Sequence, residues 1–110
     1  MLRSQLAALE VLAPGKTGKE VDAAARDSLT QDGLGERFSH SLGHGTGLEI
    51  HEGPRLAKTS EQVLKHGMSV TVEPGAYIPG DAGVRIEDLA VLTKTGFELL
   101  SNSPKELIRL

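Results

Sequence analysis

Leu2, Leu6, Leu9 and Ala13 recur at three- and four-residue spacing, so a helix over about residues 2–13 gathers them on one face. Pro14 and Gly15 end that pattern. Thr17 and Glu20 have the spacing of a capping box, in which each side chain accepts from the other residue's backbone N–H. The second helix is predicted over about 18–32, with Val21, Ala24, Ala25, Ser28 and Leu29 as a narrow stripe and Gly33 as its cap. Six glycines between Gly33 and Pro54 predict loop with short strand pieces, including a histidine loop over 38–54. Ser60–His66 reads as one or two helical turns stopped by Gly67, with His66 interacting with that helix's C-terminus. Strands are predicted at Met68–Val72, Gly83–Thr93 and Phe97–Leu100, in a sheet over about 68–100. Pro74-Gly75 and Pro79-Gly80-Asp81 punctuate the first gap, and Lys94-Thr95-Gly96 turns the second. The expected class is α+β, two helices followed by an antiparallel sheet.

A chain of 110 residues fits one domain. Apolar residues at 38%, charged residues at 25% and a net charge of -3 describe an ordinary globular composition. Twelve basic residues against fifteen acidic ones build no general phosphate-attracting field, so a nucleic-acid partner is not expected. No apolar run approaches the ~18 residues of a membrane span. The start MLRSQLAALE lacks a signal peptide's apolar stretch and cleavage site, and a cytoplasmic location is expected. The absence of cysteine removes disulfides, thiolate metal sites and cysteine nucleophiles. Any metal must therefore rest on histidine and carboxylate.

Three of the four histidines, His40, His44 and His51, fall within twelve residues. Gly43, Gly45 and Gly47 make a continuous helix there improbable, and suit close approach of backbone to a ligand. In Val70-Thr71-Val72-Glu73, alternation puts Glu73 on the face opposite the valines. Arg85 and Glu87 likewise share a face opposite Val84 and Ile86, and Leu89 and Val91 extend it as apolar residues. That places Arg85 and Glu87 at the edge of a buried zone, where a carboxylate needs a cation, a donor or a metal. Simple pairing of Arg85 with Glu73 or Glu87 is the plainer alternative. Imidazole with two carboxylates and no thiolate suits Zn, Mn, Fe or Co. Other motifs fail: His51-Glu52-Gly53-Pro54-Arg55 is not H-E-x-x-H, and Gly15-Lys16-Thr17 lacks the phosphate loop's first glycine, since Glu10 stands there.

Three ordered segments resemble the pita-bread metallopeptidases, which comprise Xaa-Pro aminopeptidases, prolidases and methionine aminopeptidases. Phe38-Ser-His40-Ser-Leu-Gly-His44-Gly-Thr-Gly-Leu-Glu-Ile-His51-Glu52-Gly-Pro54 resembles the family's histidine segment. Gly67-Met-Ser-Val-Thr-Val-Glu73-Pro74-Gly75-Ala-Tyr77-Ile-Pro79-Gly80 and Gly83-Val-Arg85-Ile-Glu87-Asp88 resemble its two glutamate strands. The wording of both favours the Xaa-Pro branch. The resemblance implies His44, Glu73 and Glu87 as metal ligands, with Glu87 bridging two divalent ions (Mn, Co, Zn or Fe). It implies Glu73 as proton acceptor and donor, His51 as a stabiliser of the tetrahedral intermediate, His40 as a substrate contact, and Arg85 as a partner of the site carboxylates. The implied substrate is a peptide with proline at its second position, cleaved by a metal-activated water.

The family's two metal-binding aspartates lie upstream of this helix pair, and Asp22, Asp27 and Asp32 sit in or at the end of a helix instead. Residues 1–110 are thus expected to be the C-terminal part of a catalytic domain, carrying three of five expected ligands and little activity alone. The expected partners are the missing N-terminal half or a second copy. Two other functions compete: a non-catalytic peptide-binding module on this fold, and a methionine aminopeptidase.

Overall fold

The computed structural model describes residues 1–110. Helices α1 (Leu2–Val11) and α2 (Gly18–Gln31) lead through a 3-10 turn (Gly35–Arg37) into seven strands. These are β1 (Gly43–Gly45), β2 (Glu52–Leu56), β3 (Ser69–Val72), β4 (Gly75–Ile78), β5 (Ala82–Arg85), β6 (Asp88–Leu92) and β7 (Phe97–Leu99). A five-stranded antiparallel sheet runs in the order β2-β1-β3-β6-β7, and β4 and β5 form a separate two-stranded ribbon. The class is α+β.

The helices cover one sheet face. Leu9, Leu12, Val21, Ala25 and Leu29 pack with Val70, Val72, Ala90 and Leu92 in one buried cluster. Side chains alternate along a strand, so Thr71, Glu73 and Leu89 belong to the opposite face, where the candidate chemistry lies.

Helix α1 buries a different stripe from the one its leucines predict. Ser4, Gln5, Ala8 and Leu9 are inside, whereas Leu2 and Leu6 are exposed. The two polar residues go inside because each finds a partner there. Ser4 Oγ donates to the Ala25 carbonyl at 2.8 Å, and Gln5 Nε2 donates to Asp88 Oδ2 at 3.0 Å. Helix α2 follows its signals closely: Glu20 N–H donates to Thr17 Oγ1 at 3.2 Å, and Thr17 N–H donates to Glu20 Oε2 at 2.7 Å. At its other end Gly33 takes φ 75°, and Leu34 N–H reaches back to the Leu29 carbonyl at 2.8 Å, closing a Schellman cap.

Ser60–His66 is extended, not helical. Val63 bridges to Thr17, and Lys19 N–H and Gly18 N–H donate to the carbonyls of Ser60 and Gln62 at 2.8 and 3.1 Å. The segment thereby satisfies free N–H groups at the start of α2 and buries Leu64, which one isolated helical turn could not do. His66 lies in an exposed turn, and no helix ends at residues 60–66 for it to interact with.

The predicted strand Gly83–Thr93 breaks at Ile86-Glu87 into β5 and β6, which join different sheets. The punctuated gap before it contains β4, paired with β5 across a turn in which Gly80 has φ 77°. Arg85 and Glu87 are half-exposed, with 52% and 44% of their side chains open to solvent, next to the buried Asp88. Asp88, Ala90 and Leu92 take the buried positions of β6.

The glycines of β1 serve neighbouring strands, not ligand approach. A Cβ on Gly43 would overlap the Thr71 carbonyl, and one on Gly45 the Gly53 carbonyl. Their absence lets β1 lie between β2 and β3.

Candidate active site

A cleft of about 420 Å³ opens on the face away from the helices, and His40, His44, His51, Glu73 and Arg85 all line it. An adjoining depression shares His44, His51, Glu73 and Arg85 and adds Glu87, Thr71 and Leu89. Different elements deliver these side chains. His40 sits in the 38–42 segment, His44 at the centre of β1, and His51 immediately before β2. Glu73 directly follows β3, Arg85 ends β5, and Glu87 occupies the break before β6. A register shift between His44 and Gly45 bulges β2 at Gly53 and Pro54 and re-aims the strand beside the histidines.

His44 is fixed from both sides. Its backbone N–H donates to Thr71 Oγ1 at 3.1 Å, and its Nδ1 lies 2.8 Å from the Gly45 carbonyl. A carbonyl only accepts, so in the neutral ring Nδ1 carries the hydrogen and Nε2 keeps its lone pair. The His51 ring meets that of His44 with centroids 4.4 Å apart and planes at 65°. By the same logic His40 donates from Nδ1 to the Ser41 carbonyl at 2.8 Å, and its Nε2 accepts from the Tyr77 hydroxyl at 2.9 Å.

Glu73 is half-buried, and its carboxyl is raised from 4.5 to about 7. Burial contributes most, followed by a hydrogen bond and charge repulsion from Glu87, while His44 and Arg85 pull the other way. Arg85 is held firmly protonated, first by a hydrogen bond to Tyr77 and then by Glu87 and Glu73. Its Nε lies 3.7 Å from Glu87 Oε2, which is the simple ion pair open as an alternative in the sequence.

The donor set fits a divalent ion in kind: one imidazole lone pair and two carboxylates, His44 and Glu73 in the cleft and Glu87 in the adjoining depression. In this conformation no three such groups converge on a single point, so enclosing an ion requires side-chain rotation. Asp22 is not among the candidates. It is buried on α2, paired with Arg26 and accepting from Leu42 N–H at 3.0 Å.

Tyr77 was a bare aromatic in the sequence, and its partnership with His40 and Arg85 was missed there. Gly75 carried the available signal, since a Cβ there would meet the Tyr77 hydroxyl and His40 Nε2. Glu52 stands in the histidine segment without an assigned role, and it lines the cleft together with Arg55.

Residues 1–94 match metallopeptidase family M24. The chain belongs to that family. It is 50% identical over 108 residues to the Xaa-Pro dipeptidase of Pyrococcus horikoshii, covering 98% of this chain and 31% of that protein. Among solved structures, the Xaa-Pro dipeptidase of Bacillus anthracis is 56% identical with a TM-score of 0.96, covering 99% of this chain and 31% of the other. The prolidase of Pyrococcus furiosus is 49% identical with a TM-score of 0.92, covering 94% and 31%. The α+β arrangement is thus that of prolidase chains, and the chain spans about a third of the length of these relatives. The metallopeptidase resemblance carried by the three motifs holds. No helix is long and apolar enough to cross a membrane.

Proposed function

We propose that residues 1–110 form the C-terminal part of the catalytic domain of an Xaa-Pro peptidase, with His44, Glu73 and Glu87 as its metal ligands. The observation carrying this reading is that His40, His44, His51, Glu73 and Arg85 line one cleft, with Glu87 in an adjoining depression that shares four of them. A divalent ion, with manganese one candidate, would lower the pKa of a bound water and polarise the peptide carbonyl. Glu73 takes the proton from the attacking water and returns it to the departing amine. His51, beside His44, donates toward the oxyanion of the attacked carbonyl. His40, held by Tyr77, contacts substrate next to the scissile bond. Arg85, whose Nε lies 3.7 Å from Glu87 Oε2, orients that carboxylate.

The two further aspartate ligands that the resemblance implies would be supplied by the remaining part of the fold, and Glu87 would help hold a second ion there. The partner in this reading is that remaining part of the fold, and the substrate class is the one in the names of the Xaa-Pro dipeptidase relatives.

A hybrid enzyme tests the reading: residues 1–110 replace the matched segment of the Bacillus anthracis Xaa-Pro dipeptidase. Hydrolysis of Xaa-Pro dipeptides in preference to Met-Xaa peptides is the expected result. A folded, metal-loaded hybrid that binds such dipeptides without cleaving them would instead favour the peptide-binding module.

A further inference from the structure

His40 stands in a segment with no regular secondary structure between the 3-10 turn and β1. One buried ion pair on α2 nevertheless holds that segment at three backbone points. Arg26 grips Asp22 with both edges of its fork, Nε to Oδ2 at 2.9 Å and Nη2 to Oδ1 at 2.9 Å. The same guanidinium donates from Nη1 to the Phe38 carbonyl at 2.8 Å and from Nη2 to the His40 carbonyl at 3.0 Å. Asp22 Oδ1 accepts from Leu42 N–H at 3.0 Å, and the Leu42 carbonyl in turn accepts from Glu73 N–H at 2.8 Å.

The side chains continue the linkage. Arg26 stacks on the Phe38 ring at 4.0 Å from its centroid, and that ring meets His40 edge to face with centroids 5.1 Å apart. The pair is nearly enclosed, with 13% of Arg26 and 1% of Asp22 exposed. Removing two charges from water is costly, and a buried pair is not by itself a stabilising device. Here the donors and the acceptor left over from the pair are all directed at residues 38–42.

We propose that Asp22 and Arg26 are positioning residues that fix the orientation of His40 and, through Leu42, tie it to the backbone at Glu73. Neither touches the cleft's chemistry directly. Their importance for turnover rests on the peptidase reading above, but the orientation of His40 can be read without it.

The test is NMR of the imidazole nitrogens in the 110-residue chain, at a pH where histidine is neutral. In the unsubstituted chain His40 should show one tautomer, with the hydrogen on Nδ1 facing the Ser41 carbonyl and Nε2 accepting from Tyr77. Arg26→Lys keeps the positive charge beside Asp22, but one ammonium cannot reproduce a planar fork spanning a carboxylate and two carbonyls. Its His40 nitrogens should move together toward averaged tautomers, while His44 keeps its separated pair and thermal unfolding stays cooperative. The double variant Asp22→Asn/Arg26→Gln, which removes both charges, should do the same. An unchanged His40 in either folded variant overturns the proposal. Global unfolding of both variants also overturns it, since the pair would then serve the whole core rather than residues 38–42. A chain that binds no metal yet loses the His40 signature in Arg26→Lys would retain this inference and reject the metal-site reading.

Discussion

At Glu73, burial and the neighbouring Glu87 carboxyl act in one direction and raise the carboxyl to about 7. In the hybrid enzyme, Glu73→Gln should lower kcat by about 10²–10⁴-fold, the usual contribution of a positioned acid–base group, and leave the fold unchanged by circular dichroism. Activity within tenfold of the unsubstituted hybrid would remove Glu73 from the chemistry. Such residues were legible because the histidine segment and the two glutamate strands keep their chemistry-bearing residues at short fixed spacings. Tyr77, Asp22 and Arg26 were not, because their roles depend on contacts across 37, 20 and 14 residues of sequence. No local spacing encodes such contacts.

Among elements, helix α2 was the most readable, since its start and stop depend on residues within one turn of each end. Thr17→Ala removes the acceptor for Glu20 N–H and should cost about 1 kcal/mol in chemical denaturation. The box also carries a pH signature. Glu20 is lowered below 4.5, first by the Thr17 backbone hydrogen bond, so its contribution is complete above the unfolded value and disappears as pH falls through the folded one. The stability difference between the parent and Glu20→Gln should therefore be present at neutral pH and shrink in acid; a difference that grows in acid would contradict the assignment.

Helix α1 and residues 60–66 misled for opposite reasons. In α1, exposed leucines imitated a core stripe while Ser4 and Gln5 found partners inside. In 60–66, a helix-like pattern yielded to hydrogen bonds offered by residues 15–19. Leu64 anchors that segment, and Leu64→Ala should destabilise the chain by about 2–5 kcal/mol in urea titration, where an exposed position would give almost nothing. Gly43→Ala should cost about 1–3 kcal/mol by forcing β1 away from Thr71, with a loss below ~0.5 kcal/mol contradicting the close strand approach.

Across the whole molecule, one sheet face is sealed by helices and the other carries the cleft, while exposed apolar residues occur both at the cleft and away from it. Leu48 and Ile50 stand beside it, and Ile78 and Val84 project from the β4-β5 ribbon. The ribbon pairs with no third strand, and its apolar side chains offer a surface for association. Sedimentation should show concentration-dependent self-association that Val84→Lys reduces; identical behaviour of the two chains would leave the ribbon out of it. The α+β class was legible because helix and strand periods separate cleanly along the chain. The division into a sheet and a separate ribbon was not, since the break at Ile86-Glu87 interrupts a run whose alternation continues through it.

The central claim is that His44, Glu73 and Glu87 form a metal-binding set, and calorimetric titration of Mn²⁺ tests it most directly. The measurement belongs at about pH 8, where ligand protons compete least, with His44→Ala and Glu87→Ala chains titrated alongside. Saturable binding that both substitutions weaken is the expected result. Equal heats from all three chains would contradict the claim.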